Sequence, residues 1–499
     1  MRSELILAID QGTTGTTVLA FDRAGRLRSR GYAELPQHFP RPGWVEHRGE
    51  EIWGTTLRAL RAAVTPLGGA RARVAAIGLT NQRETTLVWD RASSQPAAPA
   101  IVWQDRRTAE RCAALKRAGK EPWVSRRTGL KLDPYFSGTK LEWLLRNVGG
   151  LKARARRGGL AFGTVDSWLL WMLTGGKVHA TDATNASRTL LYDIRRHRWD
   201  PELLHLFGVP DSVLPEVRPS CADFGVTRGV PGLADDVPVL GIAGDQQAAL
   251  FGQGCVEAGG LKNTYGTGCF LLLHTGRKLV PSRSGLLTTV ACGPRGEPRY
   301  ALEGSVFIAG AAVQWLRDGL RILKSAAESE ALARQVPDAG GTILVPAFAG
   351  LGAPYWRPEA RGIWCGLTRG TTRAHLVRAA LESIAYQSRD LVEAMERESG
   401  VRVRALRVDG GASLNAFLMQ FQADLLGIRI TRPGLVETTA LGAALLAGIG
   451  AGWWKRAADL GAARQNGREF RPRMRRAERD RLYRGWKEAV GLLLDADPA

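Results

Sequence analysis

One stretch near the middle of the sequence combines a strand, a glycine turn and an acid. Val239 to Ala243 is a short apolar run that predicts a strand, and Gly244 then precedes Asp245 at the start of a predicted helix. A strand end that brings a carboxylate into a glycine-lined opening is suited to a general base. The alternative is an Asp that only caps the following helix. The stretch alone leaves both interpretations open.

Three turns elsewhere in the chain are rich in glycine, at residues 12–17, 266–268 and 410–411. Backbone N–H groups in such turns point into a concave space, where they can bind phosphate oxygens together with Thr hydroxyls. Asp10 and Asp245, each at the end of a predicted strand, are candidate ligands for Mg²⁺, directly or through water. Phosphate donors, a metal and a base are the parts of a phosphoryl-transfer site. A single glycine turn is weak evidence, because hairpins need glycine anyway.

A charged pair, Arg83-Glu84, follows another predicted strand. Arg donates and Glu accepts hydrogen bonds, so the pair can bind vicinal hydroxyls of a small polyol. The alternative is a surface ion pair, which contributes little to stability. Trp103, Tyr135 and Phe270 are candidates for an apolar wall against the carbon face of such a ligand, although core packing explains any one of them taken alone.

The elements that must position these residues alternate between strands and helices, which predicts an α/β fold. Residues 4–22 predict a hairpin, and residues 74–79 and 87–89 predict strands on either side of the Arg83-Glu84 turn. A long helix is predicted from about Arg373 to Ser399, with Gly400 as a left-handed cap. A helix after Asp409 is predicted to carry four apolar residues on one face: Leu414, Phe417, Phe421 and Leu425.

The two halves of the chain repeat one design. Residues 261–273 predict a second hairpin with a Gly/Thr turn, which resembles the hairpin at residues 4–22 and suggests a duplication. Glycines cluster near the middle, between Gly252 and Gly260. We therefore predict two facing lobes, residues 1–252 and 253–499.

The composition bounds the class of protein. The chain has 499 residues, of which 44% are hydrophobic, and a formal net charge of +21. No run approaches the roughly 20 apolar residues of a membrane span, and the first apolar run, Leu5 to Ile9, is too short for a signal peptide. We expect a cytoplasmic protein without membrane insertion. The positive charge is spread along the chain without interleaved aromatics, so we expect no nucleic-acid partner. The six cysteines form no Cys-x-x-Cys pair, which argues against zinc and disulfides.

Six runs of residues closely resemble the FGGY carbohydrate-kinase family of the actin-like ATPase superfamily, and in particular its glycerol-phosphorylating members. The resemblance covers residues 4 to 486, and the runs at 80–86, 133–140 and 241–252 are specific to the glycerol-phosphorylating members. The runs are Asp10-Gln-Gly-Thr-Thr14, Thr80-Asn-Gln-Arg-Glu-Thr-Thr86, Asp133-Pro-Tyr-Phe-Ser-Gly-Thr-Lys140, Gly241-Ile-Ala-Gly-Asp-Gln-Gln-Ala-Ala-Leu-Phe-Gly252, Lys262-Asn-Thr-Tyr-Gly-Thr-Gly-Cys-Phe270 and Asp409-Gly-Gly411.

The resemblance implies two ribonuclease-H-like lobes, as in actin and hexokinase, with ATP and Mg²⁺ in the cleft between them. It implies phosphorylation of glycerol to sn-glycerol 3-phosphate in an enzyme of two or four identical subunits. The N-terminal lobe would bind glycerol, phosphates and metal, and the C-terminal lobe the nucleotide. The implied roles are catalysis and metal binding by Asp245 and Asp10; glycerol binding by Arg83, Glu84, Trp103, Tyr135, Asp245, Gln246 and Phe270; and phosphate or nucleotide binding by Thr13, Thr14, Gly266, Thr267, Gly310, Gln314, Gly411 and Asn415.

The sequence departs from the family pattern at three places. Thr17 occupies the position of an Arg that reaches toward the phosphates in the family. Residues 230–236 are acidic where some bacterial members bind fructose 1,6-bisphosphate, and no His lies between His205 and His274, where others carry a regulatory phosphohistidine. Residues 472–479 are far more basic than the region where some members dock a sugar-transport regulator. We therefore expect no regulation by fructose 1,6-bisphosphate, by histidine phosphorylation or by a sugar-transport regulator.

Two other functions compete with this prediction. The first is a kinase of another polyol or sugar in the same family, against which the runs around Arg83-Glu84 and Tyr135 argue. The second is a nucleotide-dependent scaffold that binds nucleic acid, for which a steeply salt-dependent affinity for DNA would be the sign. The presence of both Asp10 and Asp245 favours catalysis.

Overall fold

The computed structural model describes residues 4–69, 72–357, 359–435, 437–456 and 467–495. The elements of the first half are, in chain order, β1 (Leu5–Gln11), β2 (Gly15–Asp22), β3 (Leu27–Glu34), β4 (Glu46–His47), α1 (Gly49–Val64), β5 (Val74–Asn81), β6 (Leu87–Asp90), β7 (Ala100–Ile101), α2 (Ala109–Arg117), α3 (Glu121–Thr128), α4 (Ser137–Asn147), α5 (Leu151–Arg156), β8 (Leu160–Gly163), α6 (Val165–Leu173), β9 (Ala180–Asp182), α7 (Ala183–Ala186), β10 (Tyr192–Asp193), β11 (Arg198–Trp199), α8 (Pro201–Phe207), β12 (Glu216–Arg218), β13 (Val239–Gly244) and α9 (Asp245–Gly252).

The second half continues with fewer and longer elements. They are β14 (Leu261–Tyr265), β15 (Cys269–Gly276), β16 (Leu287–Cys292), β17 (Pro298–Val306), α10 (Gly310–Gln314), α11 (Glu328–Ala333), β18 (Ile343–Val345), β19 (Ile363–Cys365), α12 (Arg373–Ser399), β20 (Ala405–Asp409), α13 (Ala416–Leu426), β21 (Arg429–Arg432), α14 (Thr438–Gly450), β22 (Arg468–Phe470) and α15 (Arg476–Leu494).

A five-stranded sheet organises the first half, in the order β13-β5-β1-β2-β3. Strands β1 and β2 form the predicted hairpin, while β1, β5 and β13 run parallel to one another. Thr80 of β5 lies opposite Asp10 of β1 on one side and Ala243 of β13 on the other. The carboxyl ends of these three strands therefore meet at one edge, where open α/β sheets bind their ligands.

A seven-stranded sheet organises the second half, in the order β16-β17-β15-β14-β20-β21-β22. Its centre repeats the plan of the first sheet, because the β14–β15 hairpin is antiparallel and β14 pairs in parallel with β20. Thr264 lies opposite Asp409, so the Gly/Thr turn at residues 266–268 and the glycine turn at residues 410–411 follow neighbouring strand ends. The predicted α/β class with two related lobes is confirmed, and the arrangement is consistent with the actin-like ATPase fold.

Helix α14 couples the two halves, because it lies in sequence between β21 and β22 of the second sheet but packs on the first. The side chains of α1 and α6 cover one face of the first sheet with a large apolar cluster that includes Leu60 and Trp168. The small side chains of α14 cover the other face together with α9. Helix α14 lies so close to β13 that a Cβ atom at Gly241 would meet the backbone nitrogen of Ala447 at 2.6 Å. The division at residues 252 and 253 stays a prediction.

The predicted helices of the second half agree with the structure except at one residue. Helix α12 spans residues 373–399 as predicted and ends at Gly400 with φ of 69°. The helix after Asp409 begins only at Ala416, and Leu414 precedes it with 60% of its surface exposed. Placing Leu414 on the apolar helix face was wrong, because Asn415 caps α13 through its side chain and so fixes the start of the helix.

Among the helices of the described residues, the longest is α12 (Arg373–Ser399). None of these helices contains a stretch that is both long and apolar enough to cross a bilayer.

Candidate active site

The shared edge of β1, β5 and β13 brings together acidic and basic side chains that are far apart in sequence. Asp10 is the next-to-last residue of β1, and Asp245 is the first residue of α9, directly after β13. Arg83 and Glu84 follow β5 by two and three residues. The carboxyl ends of three neighbouring strands thus position all four residues.

Asp245 combines a helix-start position with a carboxylate that solvent can still reach. Its Oδ1 accepts a hydrogen bond from the backbone of Gln246 at 2.6 Å and lies 3.1 Å from Nε of Arg83. The side chain remains 30% exposed, unlike that of Arg83 at 2%. Burial raises the pKa of Asp245 above its ordinary value, against the opposing charge of Arg83. A carboxylate at a helix start is stabilised there, and its open side leaves it able to accept a proton.

Arg83 and Glu84 are buried, so the alternative of a surface ion pair is wrong. Their side chains are 2% and 1% exposed. The guanidinium of Arg83 makes a two-point contact with Glu303 of β17, at 2.7 and 3.0 Å. Nε of Arg188 donates to Oε1 of Glu84 at 2.6 Å, and Nη2 of Arg188 donates to Glu303 at 3.0 Å. Two guanidinium groups and two carboxylates form one closed network.

The backbone of Glu84 has an unusual conformation that aims its side chain. Its φ is 61°, in the left-handed region that is uncommon for residues other than glycine. The hydroxyl of Ser137 donates to the carbonyl of Glu84 at 3.0 Å and fixes this turn. Strained backbone of this kind is retained where the surrounding structure over-determines it, and it clusters at ligand sites.

The electrostatics of Asp10 fit a bound divalent cation. Burial, followed by the charge of Asp245, raises the pKa of Asp10 to about 7. Two carboxylates that disfavour each other's charge are relieved when a cation lies between them. Within the described ranges no cluster of three or more His, Cys, Asp or Glu side chains is placed to hold a metal. Mg²⁺ is usually held by one or two carboxylates together with water and substrate phosphates, and Asp10 and Asp245 are two such carboxylates.

The three predicted aromatic residues divide into a pair and a separate residue. Trp103 and Tyr135 meet edge to face, with ring centroids 5.6 Å apart. Nε1 of Trp103 donates to Oγ1 of Thr13 at 2.9 Å, which links this wall to the first glycine turn. Phe270 is half-buried on β15, and among the described aromatic contacts none joins it to Trp103 or Tyr135. The structure brings two members of the predicted wall into contact.

Gln246 is held by a lysine from the second half of the chain. Nζ of Lys262 on β14 donates to Oε1 of Gln246 and, at 2.9 Å, to Oγ1 of Thr264. Burial lowers the pKa of Lys262 to about 8, against the charges of Asp409 and Asp245. With its oxygen engaged by the lysine, the amide of Gln246 has its NH₂ group left to donate to a ligand.

The Gly/Thr turns expose their backbone and side chains. In the first half Thr13 is half-buried and Thr14 exposed, and in the second half Gly266 and Thr267 are both exposed. The start of α10 lies on the second turn, where the backbone nitrogen of Gly310 donates to the carbonyl of Gly266 at 3.1 Å. Gly310 and Gly266 are therefore neighbours.

The other predicted nucleotide residues lie on two adjoining turns. Gly411 is exposed, and a Cβ atom there would meet nothing within 4 Å. The preceding Gly410, with φ of 83°, packs against the carbonyl of Tyr265 at the end of β14. Asn415 donates from Nδ2 to Ser329 at 3.2 Å, and Gln314 is exposed at the end of α10. Tyr265 thus adjoins both Gly410 and Gly266, and Gly266 in turn bonds to the start of α10.

The sequence analysis missed Glu303, Arg188 and Lys262, which hold the acceptor residues in place. Each is less than 2% exposed. A signal was present for two of them: Glu303 is a single acid in the strand Ala301-Leu-Glu-Gly304, and Lys262 directly follows Leu261 at the start of β14. A lone charge in a buried strand needs a partner. The identity of the partner depends on the tertiary structure.

Two family models match the chain and together span most of its length. The N-terminal domain of the FGGY family of carbohydrate kinases matches residues 5–252. The C-terminal domain of the same family matches residues 261–451.

Similar proteins and structures span the whole chain. The glycerol kinase of Deinococcus radiodurans is 56% identical over 492 residues, which cover 99% of this chain and 98% of that protein. Glycerol kinase 2 of Thermotoga maritima is 55% identical over 486 residues, with 97% and 98% coverage. The crystal structure of Plasmodium falciparum glycerol kinase with ADP superposes with a TM-score of 0.94 at 35% identity and covers 99% of each chain.

Proposed function

The chain belongs to the FGGY family of carbohydrate kinases, and from that premise we propose that it is a glycerol kinase, which transfers the γ-phosphoryl group of ATP to glycerol. The product is sn-glycerol 3-phosphate. The enzyme would serve glycerol catabolism.

One observation in the molecule carries this proposal. A buried hydrogen-bond donor, Arg83, and a buried acceptor, Glu84, lie beside the partly open carboxylate of Asp245. Vicinal hydroxyls of a small neutral polyol need a donor and an acceptor at fixed positions. A hydroxyl that is to be phosphorylated also needs a group that accepts its proton. These three side chains supply both requirements at one place.

The acceptor side works by positioning and proton transfer. Arg83 and Glu84 bind two hydroxyls of glycerol, and the NH₂ group of Gln246 donates to it. Tyr135 and Trp103 lie against the carbon atoms, and Phe270 completes the wall when glycerol is bound. Asp245 accepts the proton of the hydroxyl that attacks the phosphorus atom. A positioned base contributes about 10²–10⁴-fold in rate.

The phosphate side works mainly by electrostatic stabilisation. Thr13 and Thr14 from the N-terminal turn, and Gly266 and Thr267 from the C-terminal turn, donate to the phosphate oxygens. Asp10 and Asp245 would hold Mg²⁺, which supplies positive charge next to the phosphates. The C-terminal lobe, residues 253–499, holds the nucleotide through Gly310, Gln314, Gly411 and Asn415, and the N-terminal lobe, residues 1–252, holds glycerol.

Two further parts of the proposal concern the protein as a whole. By analogy with its family, the enzyme acts in the cytoplasm as a dimer or tetramer of identical subunits. Size-exclusion chromatography with light scattering measures the number of subunits, and a monomer would contradict this part.

An ATP-dependent assay of the purified protein tests the function. Glycerol, dihydroxyacetone, xylulose and gluconate are each supplied with ATP and Mg²⁺, and ADP release is followed. We expect glycerol to give the highest kcat/KM. The product is then offered to a dehydrogenase specific for sn-glycerol 3-phosphate. A higher kcat/KM for xylulose or gluconate would contradict the proposal and favour another kinase of the family.

A further inference from the structure

We propose that Glu303, on the second sheet, is a positioning residue that assembles the glycerol site on the first sheet. The inference rests on the proposed function and extends it to a residue outside the glycerol-binding set. Glu303 touches neither the acceptor nor the phosphates in this scheme. It acts through the two guanidinium groups that hold Glu84 and Asp245.

The contacts of Glu303 reach both polyol-binding groups. Its carboxylate accepts from Nη1 and Nη2 of Arg83 at 2.7 and 3.0 Å, and from Nη2 of Arg188 at 3.0 Å. Arg83 also forms an ion pair with Asp245 at 3.1 Å, and Arg188 also donates a hydrogen bond to Glu84 at 2.6 Å. The carboxylate of Glu303 is thus linked through Arg83 to the base Asp245 and through Arg188 to Glu84, which accepts from a glycerol hydroxyl.

Strand β17 makes Glu303 a rigid anchor. The strand lies between β15 and β16, and Glu303 is opposite Leu272 on one side and Leu287 on the other. Glu303 is 1% exposed, and its contacts with Arg83 cross from the second half of the chain to the first. A site is held precisely when its supporting groups lie on strands or helices whose own positions are fixed.

The charges show why a carboxylate is required at this position. Arg83 and Arg188 are both buried. Even with Glu303 present, the described residues provide no hydrogen-bond partner for Nη1 of Arg188. Without Glu303, both arginines would compete for Glu84 and Asp245. A competing guanidinium would change the orientation of the two groups that bind the polyol. A misplacement of about 1 Å can cost about 10²-fold in rate.

The test compares three variants in the full-length enzyme: Glu303→Gln, Glu303→Asp and Glu297→Gln. Glu297 precedes β17 by one residue and pairs with Arg299 at 2.7 Å, with 36% of the Glu297 side chain exposed, so it is a matched control for the loss of a charge near this strand. KM for glycerol, KM for ATP and kcat are measured for each variant, together with the melting temperature.

We expect Glu303→Gln to lower kcat/KM for glycerol by about 10²-fold, with the KM for ATP within threefold of the parent value. Glu303→Asp keeps the charge and should recover at least tenfold of that loss, while Glu297→Gln should behave as the parent. This separation of glycerol from ATP marks positioning, because a general loss of structure would affect both substrates.

Two results would overturn the inference alone. One is a parent enzyme that phosphorylates glycerol together with a Glu303→Gln variant whose kcat/KM for glycerol lies within threefold of it. The other is an equal loss toward glycerol and ATP without recovery in Glu303→Asp, which would make the role purely structural. A parent enzyme that does not phosphorylate glycerol would instead overturn the proposed function, and this inference with it.

Discussion

The acceptor side and the nucleotide side of the cleft are built in opposite ways. On the acceptor side, Arg83 and Glu84 are almost fully buried and engaged by three further charged side chains. On the nucleotide side, Gly266, Thr267 and Gly411 are exposed and offer backbone groups and one hydroxyl. One region is a closed network of side chains, and the other is a set of open turns.

The difference reflects the chemistry of the two ligands. Glycerol is small and uncharged, so a site can discriminate it only by hydrogen bonds at fixed positions, and unmatched buried groups are costly. Phosphates carry charge, and backbone N–H groups in glycine turns bind them without buried side chains. Substitutions on the acceptor side should therefore affect glycerol and turnover, and those on the nucleotide side should affect ATP.

The largest effect is expected on the acceptor side, from Asp245→Asn. The variant keeps the shape of the side chain but cannot accept the proton, so kcat should fall by about 10²–10⁴-fold. The melting temperature should match the parent, because Arg83 retains Glu303. Asp236→Asn is the control, since Asp236 is 68% exposed and pairs only with Arg228 among the described ion pairs. Turnover near the parent value in Asp245→Asn would refute the assignment of the base.

On the nucleotide side, two adjacent glycines should respond differently. The methyl group added by Gly411→Ala would meet no neighbour within 4 Å, so the stability of the protein should not change. Because this methyl group would face the nucleotide, the KM for ATP should rise about tenfold, which corresponds to about 1.4 kcal/mol. Gly410→Ala forces a side chain into positive φ and against Tyr265, and should lower the free energy of unfolding by about 1–3 kcal/mol.

The kinetics of Gly411→Ala and the denaturant unfolding of both variants measure these effects. The KM for glycerol in Gly411→Ala should stay at the parent value. If instead the glycerol KM rises and the ATP KM does not, the separation of the two sides is wrong.

A smaller effect is expected from Thr17→Arg, near the start of β2. Thr17 lies opposite Asp10 in the β1–β2 hairpin, so both side chains are on the same face of the sheet. A guanidinium there adds positive charge near the phosphates and should lower the KM for ATP about threefold, within the range of an exposed ion pair. Thr17→Gln controls for side-chain length. Unchanged ATP affinity and turnover would mean that another group compensates for the missing cation or that it is unimportant.

Fructose 1,6-bisphosphate is expected to leave the rate of glycerol phosphorylation unchanged. The loop of residues 230–236 presents Asp235 and Asp236 to solvent, and both would repel a bisphosphate. Initial rates measured with increasing bisphosphate should stay constant at fixed ATP and glycerol. Dose-dependent inhibition would contradict this prediction.

Local patterns were sufficient for much of the fold. The apolar runs and glycine turns predicted both hairpins. The helix predicted from about Arg373 to Ser399 agrees with the structure, because Gly400 can take positive φ without strain and ends it. Leu414 was misplaced because helical spacing does not reveal which polar residue caps the helix. The burial of Arg83-Glu84 was also undecided, since an ion pair reads the same in sequence whether it lies on the surface or in the interior.

The sequence by itself determined the family, the α/β class and the residues with chemical potential, because strand ends, glycine turns and acids are local features. Only the tertiary structure decided how Asp245 is held. Its partner Arg83 lies 162 residues earlier in the printed sequence, and Glu303, which anchors that partner, lies on the other sheet. The physical reason is that a buried charge is stable only with a partner of opposite sign, and folding alone brings such partners together.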